Sequence, residues 1–197
     1  LPEAQIDLYT EDTHVSYSAC GLPYYIQGNF DDYKKLIVRS PEEFGKSGIN
    51  IHLQNRVLKI IPKNKKVVVK DLTTNTEFLD YYDKLVIATG ATPFVPNITN
   101  VHLKNIFTLR TLGDGVAIKE QLFKSSHVTI VGGGYIGIEL LEACAKNKIH
   151  TTIIDSSPHL MPLLDDEIAS LVTEYIRDTS GEFVNIITND SVLLFKG

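Results

Sequence analysis

A glycine-rich stretch, VTIVGGGYIGIE at residues 128–139, has the residue types and the spacing to bind a dinucleotide. It contains G-x-G-x-x-G as Gly132, Gly134 and Gly137, directly after a predicted strand and at the start of a predicted helix. The first glycine permits a tight turn, the second lets the backbone approach a pyrophosphate, and the third lets the helix pack closely against the strand. The phosphates then lie at the positive end of the helix dipole.

Two carboxylates extend this predicted site. Asp155 ends the next predicted strand, 23 positions after Gly132, close to the spacing of about 20 expected of a carboxylate that binds an adenosine ribose. A carboxylate there accepts two hydroxyl hydrogen bonds and repels a 2′-phosphate, so the sequence favours NADH, with NADPH possible. The alternative is a glycine-rich turn without a nucleotide and a surface aspartate. Glu139, one helical turn beyond the loop, can reach a nicotinamide. For Glu142, three residues further on, a position on the solvated face of the helix is an equally good interpretation.

Cys20, in the sequence ACGLPYY, is either core packing or a reactive thiol. Pro23 within a first turn predicts a helix that starts at Cys20, and a helix N-terminus increases the thiolate fraction of a cysteine. Residues 23–25 are Pro, Tyr and Tyr, so Cys20 has no local partner and must act as a single thiol, through a mixed disulfide or a sulfenic acid. Composition alone favours packing. Cys144, in the apolar sequence LLEACA, is expected to be an inert core thiol.

The composition narrows the class of protein. The chain has 197 residues, 43% hydrophobic and 22% charged, which is ordinary for a soluble globular protein. A net charge of −5 without a basic block argues against a nucleic-acid partner. No apolar run reaches the roughly 20 residues of a membrane span, and the N-terminus has no signal-peptide pattern, so a cytoplasmic location is expected. The two cysteines and six dispersed histidines have no metal-site spacing, so no metal is predicted.

The element pattern predicts an α/β protein in two parts. Residues 5–9 are typical of a short buried strand, residues 41–47 of a short helix, and residues 84–90 of an apolar strand. Between the last two, RVLKII, KVVVKD and TEFLDY predict a small antiparallel meander. Thr111 is a candidate helix cap, and after it strands and helices alternate at lengths that predict a parallel sheet with helices on its faces. We therefore place a domain boundary near Arg110, between residues 1–110 and 111–197.

Three motifs occur in a fixed order: SYSACGLPYYI at 16–26, LVIATGATPFVP at 85–96, and the glycine loop at 128–139. In this order the chain resembles the single-cysteine branch of the FAD-dependent pyridine nucleotide–disulfide oxidoreductases, which includes coenzyme A disulfide reductase, NADH oxidase and NADH peroxidase. LPYY after the cysteine is most similar to the coenzyme A disulfide reductases. The implied fold is Rossmann-like, with an FAD-binding domain at 1–110 and an NAD-binding domain at 111–197.

The resemblance also implies roles for individual residues. Cys20 corresponds to the redox cysteine beside the flavin, with Ser16 near it. Tyr135 corresponds to the side chain that gates the nicotinamide pocket. The closing strand of the FAD domain contains Ala88, Thr89 and Gly90.

The chain departs from the family pattern at several points. The first strand and first glycine loop for FAD, the C-terminal flavin motif and the dimerisation domain are missing. The chain starts at Leu1, its one methionine is Met161, and it stops just after an apolar run, so it is expected to be a piece of a longer protein, truncated at both ends. The family's flavin-ribose carboxylate is replaced by Thr10, with Glu11 beside it as the candidate. These residues alone are expected to bind FAD poorly and to be inactive.

The expected function of the full-length protein is that of a flavin-dependent oxidoreductase. It takes a hydride from NADH and passes electrons through FAD to Cys20, which reduces coenzyme A disulfide. One alternative is an NADH oxidase or peroxidase, in which Cys20 cycles through sulfenic acid while oxygen or peroxide is reduced. A second alternative is a nucleotide-binding redox sensor without turnover. Small molecules are the expected partners, and the family resemblance implies a homodimer.

Overall fold

The structure is a computed structural model and describes residues 4–196. Within this range the chain forms eight strands: β1 Ile6–Tyr9, β2 Ile49–His52, β3 Asn55–Ile61, β4 Lys66–Asp71, β5 Thr76–Tyr81, β6 His127–Val131, β7 His150–Ile154 and β8 Val184–Ile187. The α-helices of the same range are α1 Leu22–Gln27, α2 Pro41–Gly45, α3 Leu112–Leu122, α4 Tyr135–Lys146 and α5 Asp166–Thr179. None of these helices has both the length and the apolar character needed to cross a bilayer.

The described chain divides into two compact units, each built from two separated stretches. The first unit contains residues 4–18 and 34–91, and the second contains residues 19–33 and 92–196. These units group the chain by packing, whereas the boundary predicted near Arg110 concerns two cofactor-binding domains. That domain division stays a prediction.

The first unit contains two small sheets. β1 and β2 pair in parallel, and β3, β4 and β5 form the predicted antiparallel meander. Val67 and Val69 of β4 are 5% and 0% exposed, so the central strand of the meander supplies the local core. α2 begins with the capping pattern that its sequence indicates, because Ser40 Oγ accepts from Glu43 N and Glu43 Oε2 accepts from Ser40 N.

Two strand predictions in this unit differ from the structure. β1 forms where a buried strand is predicted, but Ile6 and Leu8 are 47% and 38% exposed, since a sheet of two strands covers little surface. Residues 84–90 form no strand, and Val86 and Ile87 are 86% and 67% exposed. An apolar run becomes a strand only where a neighbouring strand accepts its backbone hydrogen bonds. Residues 84–90 pair with none of the described strands.

The second unit has the predicted parallel sheet, in the order β6-β7-β8. Ile130, Leu141, Ile153 and Leu160 form its buried core, and side chains of both α4 and α5 pack against it. α3 starts at the predicted cap, because Thr111 Oγ1 accepts from the backbone N–H of the third helical residue at 3.2 Å. Alternating strands and helices thus produced the expected α/β arrangement.

The helix predicted to start at Cys20 starts two residues later. Cys20 lies in a 3-10 turn, Ala19–Gly21, and α1 begins at Leu22. An α-helix that began at Cys20 would require an N–H from Pro23 to bond the carbonyl of Ala19, and proline has no N–H. With the start at Leu22, Pro23 occupies the second helical position, where no intrahelical donor is needed.

Candidate functional site

The three fingerprint glycines connect β6 to α4 with the backbone that the pattern requires. Gly132 has φ +106°, a conformation that other residues rarely adopt. A Cβ on Gly137 would lie 2.0 Å from the carbonyl oxygen of Gly132, so only glycine allows the helix this close to the loop. A Cβ on Gly134 would meet nothing within 4 Å, so the backbone there is open to an approaching group.

Gly133, which the G-x-G-x-x-G pattern leaves unspecified, is a constrained residue of the candidate site that sequence reasoning missed. A Cβ there would lie 2.5 Å from Leu160 Cδ2 and 3.2 Å from Asp155 Oδ2. Its N–H donates to Asp155 Oδ2 at 2.6 Å, and its carbonyl accepts from Met161 N at 2.7 Å. The only signal in the sequence is the run of three glycines. The contacts show that Gly133 joins the glycine loop to the loop that follows β7.

Asp155 lies directly after β7, at the same edge of the sheet as the glycine loop. Besides Gly133, the N–H of Ser157 donates to this carboxylate, to Oδ1 at 2.7 Å. Burial disfavours the charged form, but hydrogen bonds from Gly133 and Ser157, together with the charge of His159, hold the pKa of Asp155 below its usual value. Asp155 is therefore an anion at neutral pH, with one backbone donor on each oxygen.

An open cleft of about 290 Å³ lies at this edge of the sheet, within the second unit. Open α/β sheets bind ligands outside the carboxyl ends of their strands, which is where this cleft lies. The structure therefore brings Gly132 and Asp155 together on one cleft, as their spacing predicts. The lining residues are Pro96, Ile98, Val131, Gly132, Ile154, Asp155, Ser156, Asp190, Ser191 and Val192.

Tyr135 and Glu139 lie one turn apart at the start of α4. Tyr135 is 56% exposed and Glu139 is exposed, and a spacing of four places both on one face of the helix. Glu142 instead forms an ion pair with Lys146 Nζ at 2.6 Å on the solvated surface. The surface interpretation of Glu142 is thus the one the contacts favour.

The two cysteines have opposite environments. Cys20 is exposed in the turn before α1. Cys144 is 2% exposed, and burial raises the pKa of its thiol, as predicted for an inert core residue. Ser16 belongs to the first unit, where its carbonyl accepts from Val38 N at 3.0 Å. The proximity of Ser16 to Cys20 stays a prediction.

The residues expected to bind the flavin itself, Glu11 and Ala88 to Gly90, belong to the first unit. Glu11 is exposed and its carboxylate forms an ion pair with Arg56 Nε. Ala88, Thr89 and Gly90 lie in the exposed segment without strand pairing, and Gly90 has φ +68°. Their roles toward FAD also stay predictions. Among residues 4–196, no three His, Cys, Asp or Glu side chains are grouped as around a metal ion.

The sequence profile of one protein family matches nearly the whole chain. Its description is pyridine nucleotide-disulphide oxidoreductase, and the match covers residues 2–197. The chain belongs to this family. The family predicted from the three motifs is therefore confirmed, and with it the assignment to the oxidoreductases.

Relatives within the pyridine nucleotide-disulphide oxidoreductases carry two kinds of name. An NAD(P)H sulfur oxidoreductase (CoA-dependent) of Pyrococcus abyssi is 35% identical over 200 residues, which is 100% of this chain and 43% of the relative. The crystal structure of reduced Bacillus anthracis CoADR-RHD has a TM-score of 0.93 at 32% identity, covering 98% of this chain and 35% of that one. A water-forming NADH oxidase from Lactobacillus brevis, bound to NADH, has a TM-score of 0.92 at 31% identity, covering 99% and 43%.

These matches confirm the predicted Rossmann-like fold of the family. They also show that the chain corresponds to part of such a protein, since it spans between 36% and 43% of the curated relatives it matches.

Proposed function

We propose that the full-length protein is an FAD-dependent oxidoreductase that uses NADH and a single redox cysteine, Cys20, to reduce coenzyme A disulfide. The observation that carries this proposal is the contrast between the two cysteines. Cys20 is exposed, whereas Cys144 is buried with a raised pKa. One thiol is thus accessible to a bulky disulfide, and the other is not.

NADH is assigned to the glycine loop and the cleft beside it. Gly134 leaves room for the pyrophosphate, α4 directs its N-terminus at it, and Asp155 accepts hydrogen bonds from the adenosine ribose. Tyr135 and Glu139 share the exposed face of α4 and are assigned to the nicotinamide end. The negative charge of Asp155 repels the 2′-phosphate of NADPH, so NADH is the preferred nucleotide.

We assign flavin binding to the first unit, which contains some of the residues that a flavin site needs. The exposed backbone of Ala88, Thr89 and Gly90 is free to approach a cofactor, and Glu11 supplies a carboxylate that Arg56 engages in this structure. When bound, FAD accepts a hydride from NADH and passes two electrons to a disulfide. Ser16 is assigned to the surroundings of the redox thiol.

The Cys20 thiolate attacks one sulfur of coenzyme A disulfide, a new S–S bond forms, and the first coenzyme A leaves as a thiolate. Two electrons from NADH then break the mixed disulfide, which releases the second coenzyme A and restores the Cys20 thiolate. NADH, one proton and one disulfide thus give NAD⁺ and two thiols.

The choice of acceptor rests on the sequence after the cysteine and on the relatives. LPYY resembles coenzyme A disulfide reductases, and the Pyrococcus and Bacillus proteins carry coenzyme A in their names. The Lactobacillus structure and several curated relatives named NADH oxidase support a second candidate, in which Cys20 sulfenic acid is formed and reduced.

Mass spectrometry and turnover of the full-length protein test the proposal. We expect a coenzyme A adduct on Cys20 in the unreduced protein, and loss of NADH-dependent coenzyme A disulfide reduction in Cys20→Ser with flavin still bound. Cys144→Ser, the matched control, keeps the activity because the buried thiol takes no part. Rapid NADH consumption with oxygen alone, no adduct and no disulfide reduction would establish the oxidase instead.

The proposal includes a homodimer and a cytoplasmic location. A thiol that must return to its reduced form suits a reducing compartment. The homodimer follows from the family resemblance, and analytical ultracentrifugation of the full-length protein tests it.

A further inference from the structure

The helix that follows Cys20 is too short to be stable by itself. α1 has six residues, whereas isolated helices shorter than about 12 residues are marginal in water. Leu22, Pro23, Tyr25 and Ile26 are buried, so packing in the second unit determines where α1 lies. Any group that fixes α1 therefore also fixes the turn that contains Cys20.

Close approach to α3 fixes the first turn of α1. A Cβ on Gly115 of α3 would lie 2.7 Å from Leu22 Cδ2, so glycine lets the two helices meet. The last turn of α1 has no such contact to a glycine of α3. α1 ends at Gln27, before Gly28 with φ +92°. The N–H groups of Gly28 and Asn29 donate to the carbonyls of Tyr25 and Tyr24, so the carbonyl of Gln27 needs a donor from elsewhere.

Asn147 supplies one of these donors from the end of α4. Its Nδ2 donates to the carbonyl of Gln27, the last residue of α1, and to the carbonyl of Ala143 in α4, both at 2.8 Å. One side-chain amide thus joins the C-terminal ends of two helices. α4 begins at the glycine loop, so the helix that carries the nucleotide loop and the helix that follows Cys20 share this link.

Lys119 supplies a second link from α3. Its Nζ donates to the carbonyl of Phe30 at 2.9 Å and lies 4.2 Å from the centre of the Tyr25 ring. The side chain of Lys119 is only 12% exposed, which strengthens both contacts. Asp31 is 3.4 Å away but fully exposed, so solvent screens that ion pair.

We propose that Asn147 and Lys119 are positioning residues for Cys20: they hold the end of α1 against α4 and α3 and thereby set the orientation of the turn that contains the thiol. This inference rests on the proposed function, in which Cys20 is the redox thiol. A thiol that reacts in turn with a disulfide and with electrons from a cofactor requires a fixed location, because small displacements of a reacting group slow its reactions strongly.

The test compares Asn147→Leu and Lys119→Met with wild type in the full-length, flavin-loaded protein. We measure kcat and KM for NADH-dependent disulfide reduction, and the rate of Cys20 alkylation by iodoacetamide as a function of pH, well below each Tm. We expect KM for NADH to stay within about twofold, kcat to fall about tenfold, and the pH profile of alkylation to move. Lys119→Arg retains a donor and a cation over Tyr25, so its kcat should stay close to that of wild type.

Thr179→Ala is the matched control, because Thr179 Oγ1 donates to Tyr175 O at 2.7 Å and that bond stays within α5. It should leave kcat and the alkylation profile unchanged, whatever its effect on Tm. If the Asn147 and Lys119 variants change Tm only, their role is structural and the inference is wrong. If Asn147→Leu does not fold, Asn147→Ser, which keeps one donor, is judged by the same criteria.

Cys20→Ser separates failure of this inference from failure of the proposed function. If Cys20→Ser retains disulfide reduction, the proposed function is wrong and the inference falls with it. If Cys20→Ser is inactive while Asn147→Leu and Lys119→Met match wild type, only the inference is overturned.

Discussion

The backbone N–H of Gly133 donates a hydrogen bond of 2.6 Å to Oδ2 of Asp155, so the glycine loop is tied to the carboxylate at the end of the next strand. Ser157 N occupies the other oxygen at 2.7 Å. An ionised carboxylate has about four acceptor positions, so both oxygens retain capacity for the hydroxyls of a ribose. Asp155 can thus hold the loop in shape and bind a nucleotide at the same time.

Gly133→Ala is expected to destabilise the protein. The added methyl group meets the buried Leu160 side chain at 2.5 Å and crowds Asp155. Overpacking of this kind costs about 1–3 kcal/mol, so chemical denaturation should show a lower free energy of unfolding. An unchanged free energy of unfolding would mean that Leu160 moves aside freely.

Gly134→Ala, the neighbouring substitution, is expected to affect NADH binding more than stability. Its methyl group meets no protein atom within 4 Å, and its backbone φ of −76° suits alanine. Gly134 is the N-cap of α4, where alanine is less favourable than glycine, so the free energy of unfolding should fall by no more than about 1 kcal/mol. NADH binding, measured by calorimetry on the full-length protein, should weaken because the methyl group occupies the space assigned to the pyrophosphate. Equal affinities would contradict that placement.

Asp155→Ala is expected to narrow the preference for NADH over NADPH. It removes the carboxylate that accepts ribose hydroxyls and repels a 2′-phosphate. Loss of hydrogen bonds to a charged group costs about 1–2 kcal/mol, roughly a tenfold change in kcat/KM for NADH. Because the substitution also frees the N–H of Gly133, Asp155→Asn is the control that keeps an acceptor without the charge. A wild-type enzyme that used NADPH equally well would refute the assignment.

The ionisation of Asp155 should contribute to stability at neutral pH and not in acid. Burial opposes the charge, but hydrogen bonds from Gly133 and Ser157 keep the folded pKa below the usual 3.8. A lowered folded pKa adds stability above the unfolded pKa and loses it as pH falls through the folded value. The difference in unfolding free energy between wild type and Asp155→Asn should therefore be constant above about pH 5 and shrink below about pH 4. A difference that persists at pH 2 would show that the charge is not its source.

Thiol labelling of the folded protein should separate the two cysteines. Iodoacetamide should modify Cys20, which is exposed, and spare Cys144, which is 2% exposed with a pKa raised by burial. Peptide mass spectrometry before and after addition of guanidinium measures both sites. Equal labelling of the two thiols in the native state would contradict the burial of Cys144.

Local chemistry made several elements predictable from the sequence. The caps Ser40 and Thr111 determine the starts of α2 and α3 through side-chain contacts three residues away. The spacing of Gly132, Gly134 and Gly137 specified the strand–loop–helix unit, because at each of these positions the unit needs a residue without a side chain. The meander followed from alternating β-rich runs and turn residues.

Features that depend on residues far away in the chain could not be predicted from the local sequence. Residues 84–90 are apolar and β-rich, but strand formation requires a pairing partner, and none of the described strands pairs with them. Cys20 and Cys144 both lie near helices in the sequence, and only packing decides that one is exposed and the other buried. The helix start at Leu22, in contrast, could have been predicted from the sequence, since it follows from the missing N–H of Pro23.

The sequence by itself determined the family, the glycine loop and the candidate cysteine, because the spacing of a few residue types carries that information. Only the tertiary structure decided the contacts of Gly133 and Asn147. Gly133 is constrained by Leu160 and Asp155, and Asn147 is bound to Gln27, 120 positions away in the chain. Such contacts depend on how helices and loops pack together, and no local pattern of residues specifies them.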